Sequence, residues 1–184
     1  MSDSFPAWYA SDNSFLSQEI MDAFHSPIIE LAQRLMCEPG GTVLDLGCGN
    51  GVLLQNIHKA VPHSVVYGID CDPERIAHAH ILMPEFASHV RSGNLLSDPE
   101  YLWSTNRQFM VAILMPGHLV AAPAAKVERL KSRLMTQCRH VITYCYQDWI
   151  LRHNSLEKLA AAAGLNVKPI YTSDLVSTAL LDSI

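Results

Sequence analysis

The chain has 184 residues, 49% of them apolar and 17% charged, with a formal charge of −5. That length suits one domain and that composition suits a buried core, which excludes a disordered chain. No run approaches the ~18 apolar residues of a membrane span, and Met1–Pro6 carries no basic and apolar leader, so a soluble, cytoplasmic protein is expected.

The charge is uneven. Residues 1–118 hold five Lys/Arg against thirteen Asp/Glu, and residues 119–184 hold eight against five. Lys126, Arg129, Lys131 and Arg133 lie on one short stretch, which reads as a solvated helix face. A nucleic-acid binder needs a far larger basic excess to neutralise phosphates, and none is expected here. Five cysteines form no CxxC pair and read as reduced thiols. His78 and His80 are two apart on a helical segment and point in different directions, so no metal site is expected.

Taken in chain order, residues 14–37 have apolar positions at 16, 20, 24, 28, 31 and 35, a helical period. Ser26-Pro27 interrupts it and reads as the N-cap and first position of a second helix. Residues 1–40 are thus expected to be a helical extension, with Trp8 and Tyr9 in an irregular start. From residue 41 onward β-rich runs alternate with amphipathic stretches. Strands are predicted at Thr42–Leu46, Val65–Asp70, His89–Gly93, Phe109–Met115 and Arg139–Tyr146. Helices are predicted at Val52–Ala60, Pro73–Leu82, Ala124–Gln137 and Ser155–Ala163, the last stopped by Gly164. Val167–Tyr171 and Val176–Leu181 close the chain as an antiparallel hairpin. The alternation describes an α/β fold around a mostly parallel sheet, and Phe109–Met115, apolar throughout, suits a strand covered on both faces.

Chemistry concentrates in Val43-Leu44-Asp45-Leu46-Gly47-Cys48-Gly49-Asn50-Gly51. A strand runs into a glycine loop and then a helix, whose free N–H groups and dipole favour a polar ligand at that point. Glycine lets the backbone approach a ligand that a Cβ would block. The second strand ends in Asp70, placed to accept hydrogen bonds from both hydroxyls of a ribose. A dinucleotide site wants GxGxxG, whereas here Val52 stands at the last glycine position.

This block instead resembles the class I S-adenosylmethionine-dependent methyltransferases, over about residues 40–184. The resemblance implies a three-layer αβα sandwich with a seven-stranded, mostly parallel sheet whose last strand is antiparallel. It divides the chain into a helical lid or extension, 1–40, and a cofactor-binding domain, 41–184. It implies S-adenosyl-L-methionine as cofactor, with Gly47, Cys48 and Gly49 along its methionine part and Asp45 orienting the loop or the amino group. Asp70 is then the ribose acid, Cys71, Asn94 and Leu95 border the adenine, and Met115 adjoins the cofactor. The family has Asp more often where Asn94 stands, and the Asn side-chain oxygen can still accept a hydrogen bond.

Base-methylating members of the family resemble one another in an Asp/Asn-Pro-Pro-aromatic segment after the fourth strand; here the sequence is Met115-Pro116-Gly117-His118. A small-molecule acceptor, methylated on O or N, is therefore expected. His118 is the candidate catalytic base, because imidazole titrates near neutral pH. Pro116, Asp148 and Trp149, at strand ends, and Trp8 and Tyr9, in the lid, are candidate substrate contacts. Two alternatives stay open: another reaction of the same cofactor (aminocarboxypropyl transfer, cyclisation or rearrangement), or a non-catalytic partner subunit of methyltransferase-like fold. Pairing into a homodimer, common in compact members of the family, is left open as well.

Overall fold

A computed structural model describes residues 15, 17–36, 41–97, 102–103 and 107–181. Trp8 and Tyr9 lie outside the described residues, as does Cys37. Helix α1, Gln18–Leu35, opens the described chain. Strand β1 (Thr42–Leu46), helix α2 (Val52–Ala60), β2 (Val65–Asp70) and α3 (Pro73–Leu82) follow, and then β3 (Val90–Ser92) and β4 (Phe109–Leu114). The remainder is α4 (Ala124–Gln137), β5 (Cys138–Tyr146), α5 (Gln147–His153), α6 (Leu156–Ala162), β6 (Val167–Thr172) and β7 (Val176–Leu181).

The seven strands form one sheet in the order β3-β2-β1-β4-β5-β7-β6. Strands β1 to β5 pair in parallel, and β7 runs antiparallel to both β5 and β6. This is the class I methyltransferase fold. Period two sorts the strand residues onto two faces. Val43, Val66, Val111, Ile113 and Ile142 pack against α1, α2 and α3 through Ile28, Leu54, Ile57 and Ile76. Leu44, Leu46, Ala112, Leu114 and Val141 pack against α4 and α6 through Leu130, Leu134 and Ala160. Both faces of β4 are buried, as its unbroken apolar run predicts.

The break expected at Ser26-Pro27 is absent: α1 runs through Pro27 as one helix, capped by the Ser17 side chain, which accepts from the Ile20 N–H at 3.3 Å. Interior proline costs about 3 kcal/mol through a lost hydrogen bond and a clash with the preceding turn. On the next turns Ile28, Leu31 and Ala32 are buried against the sheet, and Met21 before it is buried against Val52 of α2. Each large apolar side chain buried there contributes about 1.5–3 kcal/mol, enough together to hold the helix in one piece. Ser26 Oγ meanwhile donates to the Asp22 carbonyl at 2.8 Å.

A second departure follows β5. Gln147 to His153 form a short helix, with Trp149 half-buried beneath Gly117; a Cβ on that glycine would meet the indole at 3.0 Å. Arg152 lies over the Trp149 ring at 5.6 Å and His153 stacks on it at 5.8 Å.

Candidate active site

The carboxyl ends of β1, β2 and β4 converge on the loop Gly47–Gly51, whose shape is held by β2. The N–H groups of Gly47 and Cys48 both donate to the Ile69 carbonyl, at 2.8 and 3.0 Å. The Gly49 N–H donates to Asp70 Oδ2 at 2.9 Å, and the Asp72 N–H donates to Oδ1 of the same carboxylate at 2.9 Å. Gly47 has φ +100° and Gly51 φ +80°, backbone that side-chain-bearing residues rarely adopt. Gly51 caps α2 without a side chain, leaving the loop close to the helix end. Below the loop, Gly68 of β2 leaves room for Cys48: a Cβ there would meet Cys48 Sγ at 2.8 Å. Glycine inside an otherwise β-rich run is the usual sign of such close approach.

Two cavities flank this loop and share Gly47, Asp70 and His118 as walls. The first, about 230 Å³, is bordered by Cys71, Gly93, Asn94, Leu95 and Leu96. The Asn94 side-chain oxygen accepts the Leu96 N–H at 2.8 Å, and this turn presents both leucines. The second cavity, about 240 Å³, reaches past Asp45, Gly49 and Met115 to Arg75, His25, Phe15, Tyr144 and Tyr146. Of the sequence-derived candidates, Asp45, Gly47, Cys48, Gly49, Asp70, Cys71, Asn94, Leu95, Met115 and His118 all line one cavity or both. Pro116 is buried, Asp148 is exposed, and neither these two nor Trp149 borders either cavity.

The electrostatics are those of a site short of solvent. Asp45 is 2% exposed, and its Oδ1 has no hydrogen-bond partner. Burial, with the negative charge of Asp70 adding to it, pushes the Asp45 carboxyl up to about 8. His118 stands at the rim with its ring over the loop: a Cβ on Gly47 would meet Cδ2 at 3.5 Å and Nε2 at 3.6 Å. Packing of that ring against the protein lowers its pKa, opposed by Asp70 and assisted by Arg75. His25, 4% exposed, has an unpartnered Nδ1, and burial lowers it to about 4.

A family model described as a methyltransferase domain matches residues 38–172. The chain belongs to the class I methyltransferase family. Solved structures agree in fold. The structure of WbdD, described elsewhere as a bifunctional kinase-methyltransferase, superposes with a TM-score of 0.62 at 19% identity over 98% of this chain and 43% of that one. Magnesium protoporphyrin IX methyltransferase (ChlM) from Synechocystis PCC 6803, solved with bound SAM, gives 0.54 at 17% identity over 90% of this chain and 83% of that one. DesVI of Streptomyces venezuelae gives 0.52 at 15% identity, over 68% and 51%. The chain spans less than half the length of the WbdD chains it matches. No curated protein sequence matches it.

S-adenosylmethionine is the methyl donor of this class, and the residues present fit it. The loop carries no Cβ at Gly47, a wall common to both cavities, and Asp45, which lines the second cavity, has a buried carboxyl oxygen without a partner. Sequence reasoning missed His25, Phe15, Arg75, Tyr144, Tyr146 and Leu96 as wall residues. Period two puts Tyr144 and Tyr146 on one face of β5, and Gly68 within β2 is a legible sign of close approach. Nothing local marked His25 or Arg75.

Proposed function

We propose that this methyltransferase acts on an oxygen or nitrogen of a small molecule, and that the paired cavities hold donor and acceptor. The single observation that carries the reading is the pair of cavities meeting at Gly47, Asp70 and His118. Asp70 is the ribose acid: each of its oxygens accepts one backbone N–H, and each retains a further lone pair for a hydroxyl. Cys71, Asn94 and Leu95 border the adenine, while the Gly47 and Gly49 backbone, Cys48 and Met115 line the methionine side. Asp45 lies opposite the amino group, where an unpartnered buried carboxyl gains most from a cation. Bound there, the donor supplies an electrophilic methyl carbon on sulfonium. His118, at the wall common to both cavities, accepts a proton from the acceptor atom. The acidic overall charge and the Met-Pro-Gly-His segment support a small molecule over a nucleic-acid base.

Calorimetric titration with S-adenosylmethionine and S-adenosylhomocysteine tests the reading. The native chain is expected to bind both at micromolar concentration. Loss of two hydrogen bonds to the ribose in Asp70→Ala, at about 1 kcal/mol or more each, weakens binding by at least about tenfold. Native protein that binds neither compound refutes the proposal.

A further inference from the structure

The second cavity extends beyond the donor's side of the loop into a corner built of rings from two distant segments. Phe15 stands perpendicular to the His25 ring, at 89° with centroids 5.5 Å apart, and at 76° to Tyr146, at 5.6 Å. His25 and Tyr146 face each other across that corner, 6.5 Å apart and 32° from parallel. Phe24 backs Tyr146 from behind at 5.2 Å, and the Tyr144 ring packs beside that of Tyr146 with centroids 5.2 Å apart. Such a corner is shaped by faces and edges of rings, the surfaces that planar ligands prefer. His25 lines this cavity, and its Nδ1 is buried without a hydrogen-bond partner. A buried polar atom left unpaired is costly, and a ligand that pairs it recovers that cost.

The charges around the corner narrow the ligand further. Arg75, the cation in that wall, already pairs with Asp72 at 3.4 Å, so an anion gains little there. An ammonium group has no lone pair with which to take a methyl group, so a reacting amine enters uncharged. The burial that keeps His25 neutral penalises any full charge placed beside it.

Building on the proposed function, we infer that the corner of Phe15, His25 and Tyr146 is the acceptor subsite, taking an uncharged planar ring that bears a hydroxyl group, with His25 Nδ1 as that group's hydrogen-bond partner. His25 is here a recognition residue, and the rings fix the plane of the acceptor.

The test uses the full chain saturated with S-adenosylhomocysteine and three fragments of one ring size: phenol, anisole and benzoate. Phenol is expected to bind about tenfold more tightly than anisole, as one hydrogen bond to a buried group requires, and benzoate to bind more weakly than phenol. His25→Phe keeps the corner aromatic and removes the polar atom, so phenol and anisole become equivalent while S-adenosylhomocysteine affinity stays within about twofold. Independently of any variant, the imidazole ¹⁵N resonances of His25 in the native protein shift on addition of phenol and stay in place with anisole. Equal binding of phenol and anisole by the native complex overturns the subsite. So does a His25→Phe variant that loses S-adenosylhomocysteine, since His25 would then belong to the donor's site. Native protein that fails to bind S-adenosylhomocysteine overturns the methyltransferase reading itself, a result distinct from either.

Discussion

Asp45 ties the site to pH in a way that can be worked through. In the free protein its carboxyl is held up to about 8 by burial and by Asp70, so at neutral pH it is protonated. A ligand ammonium placed beside it selects the carboxylate. Binding therefore releases a proton below pH 8, and affinity rises with pH. For a free-state value of 8 the penalty factor is one plus ten to the power of eight minus the pH, about 100-fold at pH 6, about 10-fold at pH 7 and negligible by pH 9. Calorimetry with S-adenosylhomocysteine between pH 6 and 8.5, in buffers of differing ionisation enthalpy, reads both the affinity and about 0.9 proton released per binding event at pH 7. Asp45→Asn serves as the control, because its pH slope should vanish while titration of the ligand's own groups remains. A native affinity that changes less than about threefold from pH 6 to pH 8, with proton release matching Asp45→Asn, would refute the argument. The same shift acts on folding. A carboxyl raised above its ordinary value contributes stability that is complete at acid pH and is lost as pH climbs toward about 8. Asp45→Asn is thus expected to stabilise the free chain at pH 8 by about 1–3 kcal/mol in a denaturant titration, while weakening donor binding.

Three further outcomes follow from the geometry. Gly47→Ala forces a side chain into φ +100° and places its Cβ 3.5 Å from His118 Cδ2; it should cost about 1–3 kcal/mol of stability and abolish S-adenosylhomocysteine binding, and unchanged affinity counts against the loop's assigned place. Gly68→Ala puts a methyl 2.8 Å from Cys48 Sγ and 3.0 Å from Leu54 Cδ1, so overpacking should cost about 1–3 kcal/mol in chemical denaturation and weaken donor binding by shifting the loop from below. His118→Gln should lower kcat by about 10²–10⁴ if the imidazole takes the acceptor's proton, with S-adenosylhomocysteine affinity nearly unchanged; an unaltered kcat with a hydroxyl acceptor excludes that role.

The sheet and the glycine loop with its flanking strand ends were legible in the sequence because their signals are local. Val43 to Gly51 is strand, turn and helix start within a few residues, and Asp70 ends a strand whose period two and β-branched residues mark it without reference to anything distant. The first cavity is assembled almost wholly from such strand ends. Where two signals competed, the local one lost: Pro27 argued for a helix break, and burial of Ile28, Leu31 and Ala32 against the sheet carried α1 through it. Asp148 and Trp149 followed a strand that points at the site, yet the chain turned there into a helix whose indole packs under Gly117. The aromatic corner of the second cavity was legible only in part: period two puts Tyr144 and Tyr146 on one face of β5, but nothing local says which element meets them. His25 belongs to a helix before the first strand and Tyr146 to the end of the fifth, and their rings meet because α1 lies across the face of the sheet formed by β4, β5 and β7. Periodicity tells which side of its own element a residue faces; which other element meets that side is decided only when the faces are buried together.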